Sequence, residues 1–285
     1  MLIPTTLAGA LSALADEPSS MVQAGGTDAM VEVNAGHRRP QSVIAISRIP
    51  ELRTWTFDAH PDDARSGTLR IGAGVTYAEL EQEPFVRWVP ALAQAARTVG
   101  SPQIRHAATI GGNLATCSPA GDGLPVLAAL DAVVHIVSAG GSRSIPFSDF
   151  MTGPKRTTLV PGELIEAVSV PVFDGWQGYA KIGVRNAMVI SMAGACLVVD
   201  NSGGVRLALG SVGPTIIRCH DAESYAASMV DHQARSVTDI ESMEFGRLAA
   251  AAARPIDDHR STAEYRRHAV AVLARRLLRR AFPNG

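Results

Sequence analysis

Cysteine is scarce: Cys117, Cys196 and Cys219 are the only three in 285 residues, and no two form a C-x-x-C pair. This argues against a disulfide framework. An all-cysteine iron–sulfur cluster needs four thiolates, so the chain cannot hold one by itself. Aromatic residues amount to 5%, and 26 Lys+Arg against 27 Asp+Glu leave a net charge of −1. No global field draws such a chain toward nucleic acid or a membrane surface. No apolar stretch approaches the ~20 residues of a spanning helix. Met1 to Thr6 lack a basic region followed by an apolar core, so no secretory signal is expected and a cytoplasmic location is.

Several catalytic signatures are also missing. There is no Walker-type phosphate loop, no serine nucleophile elbow, and no cysteine beside a sequence-identifiable base. Ile71-Gly72-Ala73-Gly74 has the start of a dinucleotide fingerprint, but Tyr77 replaces the third glycine. No acid follows about 20 positions on, so this stretch reads as a structural turn. Asp257-Asp258-His259 reads as a solvated loop rather than a metal site, since neighbouring loop residues seldom chelate one ion.

What is present suits a globular protein: 46% hydrophobic and 19% charged residues, with length enough for two domains. Composition and turn signals place a boundary at Asp174-Gly175, giving domains 1–174 and 175–285, the first in subdomains of about 1–55 and 56–174. A helix from Leu7 after a Thr5-Thr6 cap, a strand Met21–Ala24 and a strand Ser42–Ile46 make a small α/β unit. Strands over Leu52–Phe57 and Leu69–Ile71 follow, then a capping box at Thr76-x-x-Glu79. Helices are expected over Trp88–Val99 and Pro119–Leu130, and strands over Val133–Val137, Arg143–Ile145 and Leu164–Val170, the last ending at Pro171. Beyond the boundary, Tyr179–Ile182, Ala195–Val199 and Val205–Leu209 predict a three-stranded antiparallel sheet. The C-terminal helix is read with a Ser261-x-x-Glu264 capping box. Val270, Leu273 and Leu277 form its apolar face, and Arg266, Arg267, Arg275, Arg276, Arg279 and Arg280 crowd the other, read as a solvated or subunit-facing surface.

Two glycine-rich segments stand out, Ala24-Gly25-Gly26-Thr27-Asp28 and Thr109-Ile110-Gly111-Gly112-Asn113, the second continuing to Asp122. Paired glycines tolerate φ > 0 and let backbone N–H groups approach a ligand. Successive N–H groups in a turn form an anion-binding nest. Two nests far apart in sequence predict one large phosphorylated cofactor held from both sides, and a dinucleotide fits best. Gly25-Gly26 alone equally suits a tight turn. Asp28 suits either a ribose hydroxyl or a helix cap. Cys117, inside the second segment, also reads as a small buried hydrophobe. Lys181 reads equally as an ordinary surface lysine.

With these residues in place the chain resembles the FAD-binding medium subunit of the molybdenum hydroxylases, the xanthine dehydrogenase family, which includes carbon monoxide dehydrogenases. The resemblance is carried by Ala24–Asp28, Gln103-Ile104-Arg105, Thr109–Asp122, Leu207–Thr215 and Tyr265-Arg266-Arg267, and it spans nearly the whole chain. It implies a mixed α+β and α/β fold: the two-subdomain FAD-binding architecture of the vanillyl-alcohol oxidase and p-cresol methylhydroxylase type, followed by a C-terminal domain of a three-stranded sheet with helices. It further implies that Val22, Gln23, Ala24, Gly25, Gly26, Thr27 and Asp28 wrap the FAD diphosphate and ribityl. Thr109, Ile110, Gly111, Gly112 and Asn113 would form the second wall. Ser118 and Asp122 would reach the adenosine–phosphate side, and Val99, Gly100 and Ala108 would line the site. Ile165 and Lys181 match positions that contact the adenine end or the flavin edge. Arg185–Ile190 lies where the family places a loop beside the isoalloxazine ring.

The implied role is electron transfer. Substrate would be hydroxylated at a molybdenum cofactor on a large partner subunit, and electrons would cross two 2Fe–2S clusters on a small one. FAD here would pass them to NAD+ or another acceptor, within a dimer of heterotrimers. Thr27-Asp28 and the Gly213-Pro214-Thr215 stretch with Arg218 resemble the xanthine dehydrogenase branch. On this reading the chain has no catalytic acid or base, no metal site, no nucleic-acid partner and no membrane span. The alternatives are a stand-alone FAD oxidoreductase of the same superfamily, a medium subunit of a carbon monoxide, aldehyde or N-heterocycle dehydrogenase, and a flavin-free assembly module.

Overall fold

The computed structural model describes residues 1–231 and 233–284. Helix α1 (Leu7–Asp16) starts where Thr6 caps it by accepting the Gly9 N–H, and it buries Ala10 and Leu14. Strands β1 (Met21–Gln23) and β2 (Val43–Ala45) pair in parallel, with α2 (Ala29–Asn34) between them in sequence. Ile44, Ile46, Ile49 and Leu52 close this small core with α1. Leu52 lies in a 3-10 turn, Pro50–Arg53, not in the expected strand, because Pro50 presets a helical φ at the turn's start.

Strands β3 (Trp55–His60) and β4 (Asp63–Gly72) form a hairpin, and α3 (Tyr77–Leu80) begins with both bonds of the predicted capping box. The helix expected over Trp88–Val99 is two, α4 (Phe85–Trp88) and α5 (Pro90–Thr98). Pro90 pushes Val89 out of the helical region and breaks the run. Helix α6 (Pro102–Ala107) and α7 (Ile110–Thr116) follow. Helix α8 (Leu124–Ala129) starts later than read, with Pro125 and not Pro119 in its first turn. Strands β5 (Val133–Ser138) and β6 (Gly141–Pro146) make a hairpin. Then come α9 (Phe147–Phe150), the small pair β7 (Met151–Gly153) and β8 (Arg156–Thr157), and β9 (Leu164–Val172).

The main sheet runs β3-β4-β9-β5-β6, antiparallel throughout. Strand β9 continues through Pro171, past the expected end. Its pairing with β5 ends at Ser169, so Pro171 sits where β9 has one neighbour and its missing N–H leaves no gap in that ladder.

The remaining strands β10 (Gly175–Ile182), β11 (Ala193–Asp200), β12 (Val205–Gly210) and β13 (Ile217–Arg218) form a four-stranded antiparallel meander, not a three-stranded one. A two-residue strand carries too little alternation to be read from sequence. Helices α10 (His220–Met229), α11 (Asp239–Ala252) and α12 (Ala263–Ala281) complete the chain. Alternation along β11 divides two cores. Cys196 and Val198 join the core of the main sheet, whereas Ala195, Leu197 and Val199 join that of α10–α12. This second sheet is therefore buried on both faces and joins the two halves. Among the described residues, no helix is long and apolar enough to cross a membrane.

Candidate cofactor-binding site

A cleft of about 510 Å³ lies between the turn after β1 and the start of α7, within the usual range of cofactor and small-molecule sites. Its first wall is the 24–28 turn. Among the described residues the backbone N–H groups of Gly25, Gly26, Thr27 and Asp28 find no acceptor. Gly26 has φ +72°, a conformation that favours glycine. Gly25 is fixed by contact instead: a Cβ there would lie 1.7 Å from the Ala107 carbonyl oxygen, so this turn presses directly on the end of α6. Asp28 precedes α2 but makes no side-chain cap bond, which leaves its exposed carboxylate free of that role.

The second wall differs from the expected nest. Residues 110–116 are helical, and the first-turn donors are already used. Ile110 N–H bonds the Val75 carbonyl, Gly111 N–H the Ala73 carbonyl, Gly112 N–H the Thr109 Oγ1 and Asn113 N–H the Thr109 carbonyl. What this wall offers is access and side-chain polarity. At Gly112 an added Cβ would meet only Thr109 Oγ1, at 3.1 Å, within the protein. Asn113 is held by Tyr77, whose hydroxyl donates to its Oδ1 at 2.8 Å. That leaves the Asn113 Nδ2 amide without a partner among the described residues. Burial pushes the Tyr77 phenol far above its ordinary value, so it stays a neutral donor.

Of the residues singled out from sequence, Val22 to Asp28, Val99, Gly100, Ala108, Thr109, Gly112, Asn113, Ser118 and Asp122 line this one cleft. Four do not. Ile110 and Gly111 face inward, and a Cβ on Gly111 would strike the Ala73 Cβ at 2.4 Å. Ile165 lies in β9 within the main core. Lys181 stands behind the lining. Its Nζ donates to Asp122 Oδ2 (2.6 Å), the Thr98 carbonyl (2.8 Å) and the Val189 carbonyl (3.1 Å). Asp122 also accepts from the Tyr179 hydroxyl and from Thr98 Oγ1. Burial pushes its carboxyl up from the ordinary range, against the opposing pull of Lys181, Tyr179 and Thr98. Asp122 is thus the centre of a buried knot at the cleft wall, fully engaged by protein.

Tyr77, Glu32, Arg38 and Lys155 also belong to the cleft and were not singled out from sequence, and Ile104, read there only as part of a family motif, joins them. Of the Arg185–Ile190 loop after β10, Met188, Val189 and Ile190 line the cleft. Cys117 is buried, and burial pushes its thiol up to about 12, so it is inert packing. Among the described residues no group of His, Cys, Asp or Glu side chains is arranged to hold a metal ion.

These features fit a phosphorylated dinucleotide. A row of unpaired N–H groups suits a diphosphate, Gly112 permits close approach from the facing wall, and the fixed Asn113 amide supplies a further donor.

Comparison with known proteins bears on the same residues. Residues 1–173 match the family described as FAD binding domain in molybdopterin dehydrogenase, and residues 179–281 the CO dehydrogenase flavoprotein C-terminal domain. The xanthine dehydrogenase FAD-binding subunit of Escherichia coli O157:H7 is 31% identical over 284 residues, covering 97% of this chain and 93% of that one. The nicotinate dehydrogenase FAD-subunit of Eubacterium barkeri is 36% identical over 203 residues, 68% of this chain and 66% of that one. Among solved structures, carbon monoxide dehydrogenase from Hydrogenophaga pseudoflava superposes with TM-score 0.84 at 27% identity, covering 99% of this chain and 95% of its own.

Proposed function

Because the chain belongs to the FAD-binding medium subunits of the xanthine dehydrogenase family of molybdenum hydroxylases, we propose that it relays electrons from 2Fe–2S clusters of a small partner subunit to NAD+. The substrate is oxidised at the molybdenum cofactor of a large partner, as in xanthine dehydrogenase, and the cytoplasmic assembly is a dimer of heterotrimers. Residues 1–174, in subdomains 1–55 and 56–174, form the FAD-binding domain, and 175–285 the C-terminal domain.

The observation that carries this reading is the row of unpaired N–H groups at 25–28 facing Gly112 and Asn113 across the cleft. Bound FAD supplies a carrier that takes electrons singly and gives them up as a pair. The chain's own residues bind and orient it. The 25–28 turn holds the diphosphate, while Gly112 leaves room for it. Thr109, Ser118 and the Asn113 amide supply polar contacts along the facing wall, and Val99, Gly100 and Ala108 give apolar contact. Met188, Val189 and Ile190, apolar and at the cleft, limit water there and offer no group able to act on a substrate. That supports a relay over a self-sufficient oxidase.

The test is to co-express the chain with its large and small partners and record the visible spectrum. We expect a flavin band and, after reduction by substrate, NADH formation on adding NAD+. A complex without flavin overturns the cofactor assignment. A flavin-loaded complex that reduces a quinone or dye but not NAD+ overturns the acceptor assignment.

A further inference from the structure

The two covers of the cleft are held very differently. The 183–190 loop is tied from below by Lys181, whose ammonium is buried and spends its donors on Val189, Thr98 and Asp122. The α2 side has no such anchor. Helix α2 buries no residue and lies between two glycines at positive φ, Gly26 (+72°) and Gly36 (+73°). A Cβ on Gly36 would meet nothing within 4 Å, so packing does not restrain that end. Among the described residues the side chains of α2 make one ion pair, from Lys155 Nζ to Glu32 Oε1 at 2.7 Å, and it crosses the cleft mouth. Its exposure is 57% on the lysine and 33% on the glutamate.

Lys155 occupies an unusual place. It stands between β7 and β8 with φ +55°, where glycine rests easily and a long side chain does not. Its N–H bonds the Cys117 carbonyl at 3.1 Å, fixing the hairpin tip to the end of α7. A lysine held in a disfavoured conformation on one wall, with its ammonium on a loosely held helix of the other, points to a task for that side chain.

We infer that Lys155 is a positioning residue for the cofactor: through Glu32 it holds α2, and thereby keeps the unpaired N–H groups of the 25–28 turn aligned on the FAD diphosphate. Opening of this exposed clasp is the route by which FAD leaves and is taken up, because the opposite cover is fixed by buried bonds. The inference rests on the FAD-site reading above. An exposed pair is screened by salt, so FAD release from the native chain accelerates as ionic strength rises.

The experiment uses the full chain loaded with FAD and follows recovery of flavin fluorescence after dilution. Lys155→Met keeps the apolar stem and removes the charge, and Glu32→Gln removes the other. Each should speed release about fivefold, as expected for one exposed pair, and abolish its salt dependence. Exchange of the two charges, Glu32→Lys with Lys155→Glu, should restore slow, salt-sensitive release. Lys155→Gly relaxes the backbone, so its melting temperature should hold or rise while release still accelerates. A merely structural lysine would not separate the two. Variants that release FAD at the native rate with the native salt dependence overturn the inference and leave the FAD site standing. A native chain that takes up no FAD overturns the site reading itself, and this inference with it.

Discussion

Adjacent glycines at 111 and 112 serve opposite faces of one helical turn. Gly111 is where α7 touches Ala73, and Gly112 is where the helix opens to the cleft. A side chain at 111 overpacks a core contact, whereas one at 112 excludes a ligand. Gly111→Val should therefore lower stability by roughly 1–3 kcal/mol through overpacking. Gly112→Val should change stability by less than about 1 kcal/mol, the range of helix propensity, yet weaken FAD binding more than tenfold. Melting curves of the flavin-free chain and FAD titrations decide it, and the reverse pattern would mean the cleft is misassigned. Sequence marked both glycines as functional but could not tell them apart, because the contact that separates them comes from a turn far away in the chain. Tyr77 went unnoticed as a site residue for the same reason: it reads as the first residue of a capped helix, and only folding brings its hydroxyl to Asn113.

Elements were legible where periodicity or capping is local. The α1 cap, the α3 capping box, the β5–β6 hairpin and the apolar face of α12 are as expected. Elements that depend on distant partners were not. Helix α7 reads as a loop because its glycines have poor helix propensity, and it is held by Val75 and Ala73 carbonyls. At α12 the cap is Thr262, accepting from Tyr265 N–H, not Ser261. Arg266, grouped with the solvated arginines, is buried and donates to the Met192 and Ser211 carbonyls and to Asp258. Burial works against the Asp258 charge, but the N–H groups of Arg260 and Ser261 and the Arg266 guanidinium bring its carboxyl down to about 2. A carboxyl depressed in the folded state stabilises above its unfolded pKa of about 4, and that contribution fades as pH falls toward the folded value. Acid unfolding of the native chain should thus include a component between about pH 4 and 2. Asp258→Asn should flatten that stretch of the stability–pH curve. An unchanged slope there would remove Asp258 from the account.

Across the whole molecule, the cleft stands beside the junction where the second sheet meets the core of the first. Sequence placed Asp122 as a cofactor contact, and the structure puts it at the cleft wall with both carboxylate oxygens taken by protein donors. Its hydrogen bonds give it a larger duty: both carboxylate oxygens accept from β10 residues, Tyr179 and Lys181, and Thr98 at the end of α5 adds a third donor. Gln94 on α5 reinforces the same seam by accepting the Tyr179 N–H at 2.9 Å. With side-chain exposures of 8% for Asp122 and 9% for Lys181, removing one partner strands the other charge. Asp122→Ala should therefore cost roughly 3–5 kcal/mol of stability, the scale for a broken buried pair. Replacing both by apolar residues, Asp122→Leu with Lys181→Met, should cost much less, because no charge is left unpaired. FAD affinity divides the two duties. If Asp122 acts on the cofactor mainly by keeping β10 and the 183–190 loop seated, the double variant should bind FAD more tightly than Asp122→Ala. If it touches the cofactor directly, both variants should lose the same affinity. Denaturant melts and FAD titrations on the native chain and both variants distinguish these outcomes. Equal stability of the single and double variants would show that the loss does not come from a stranded charge.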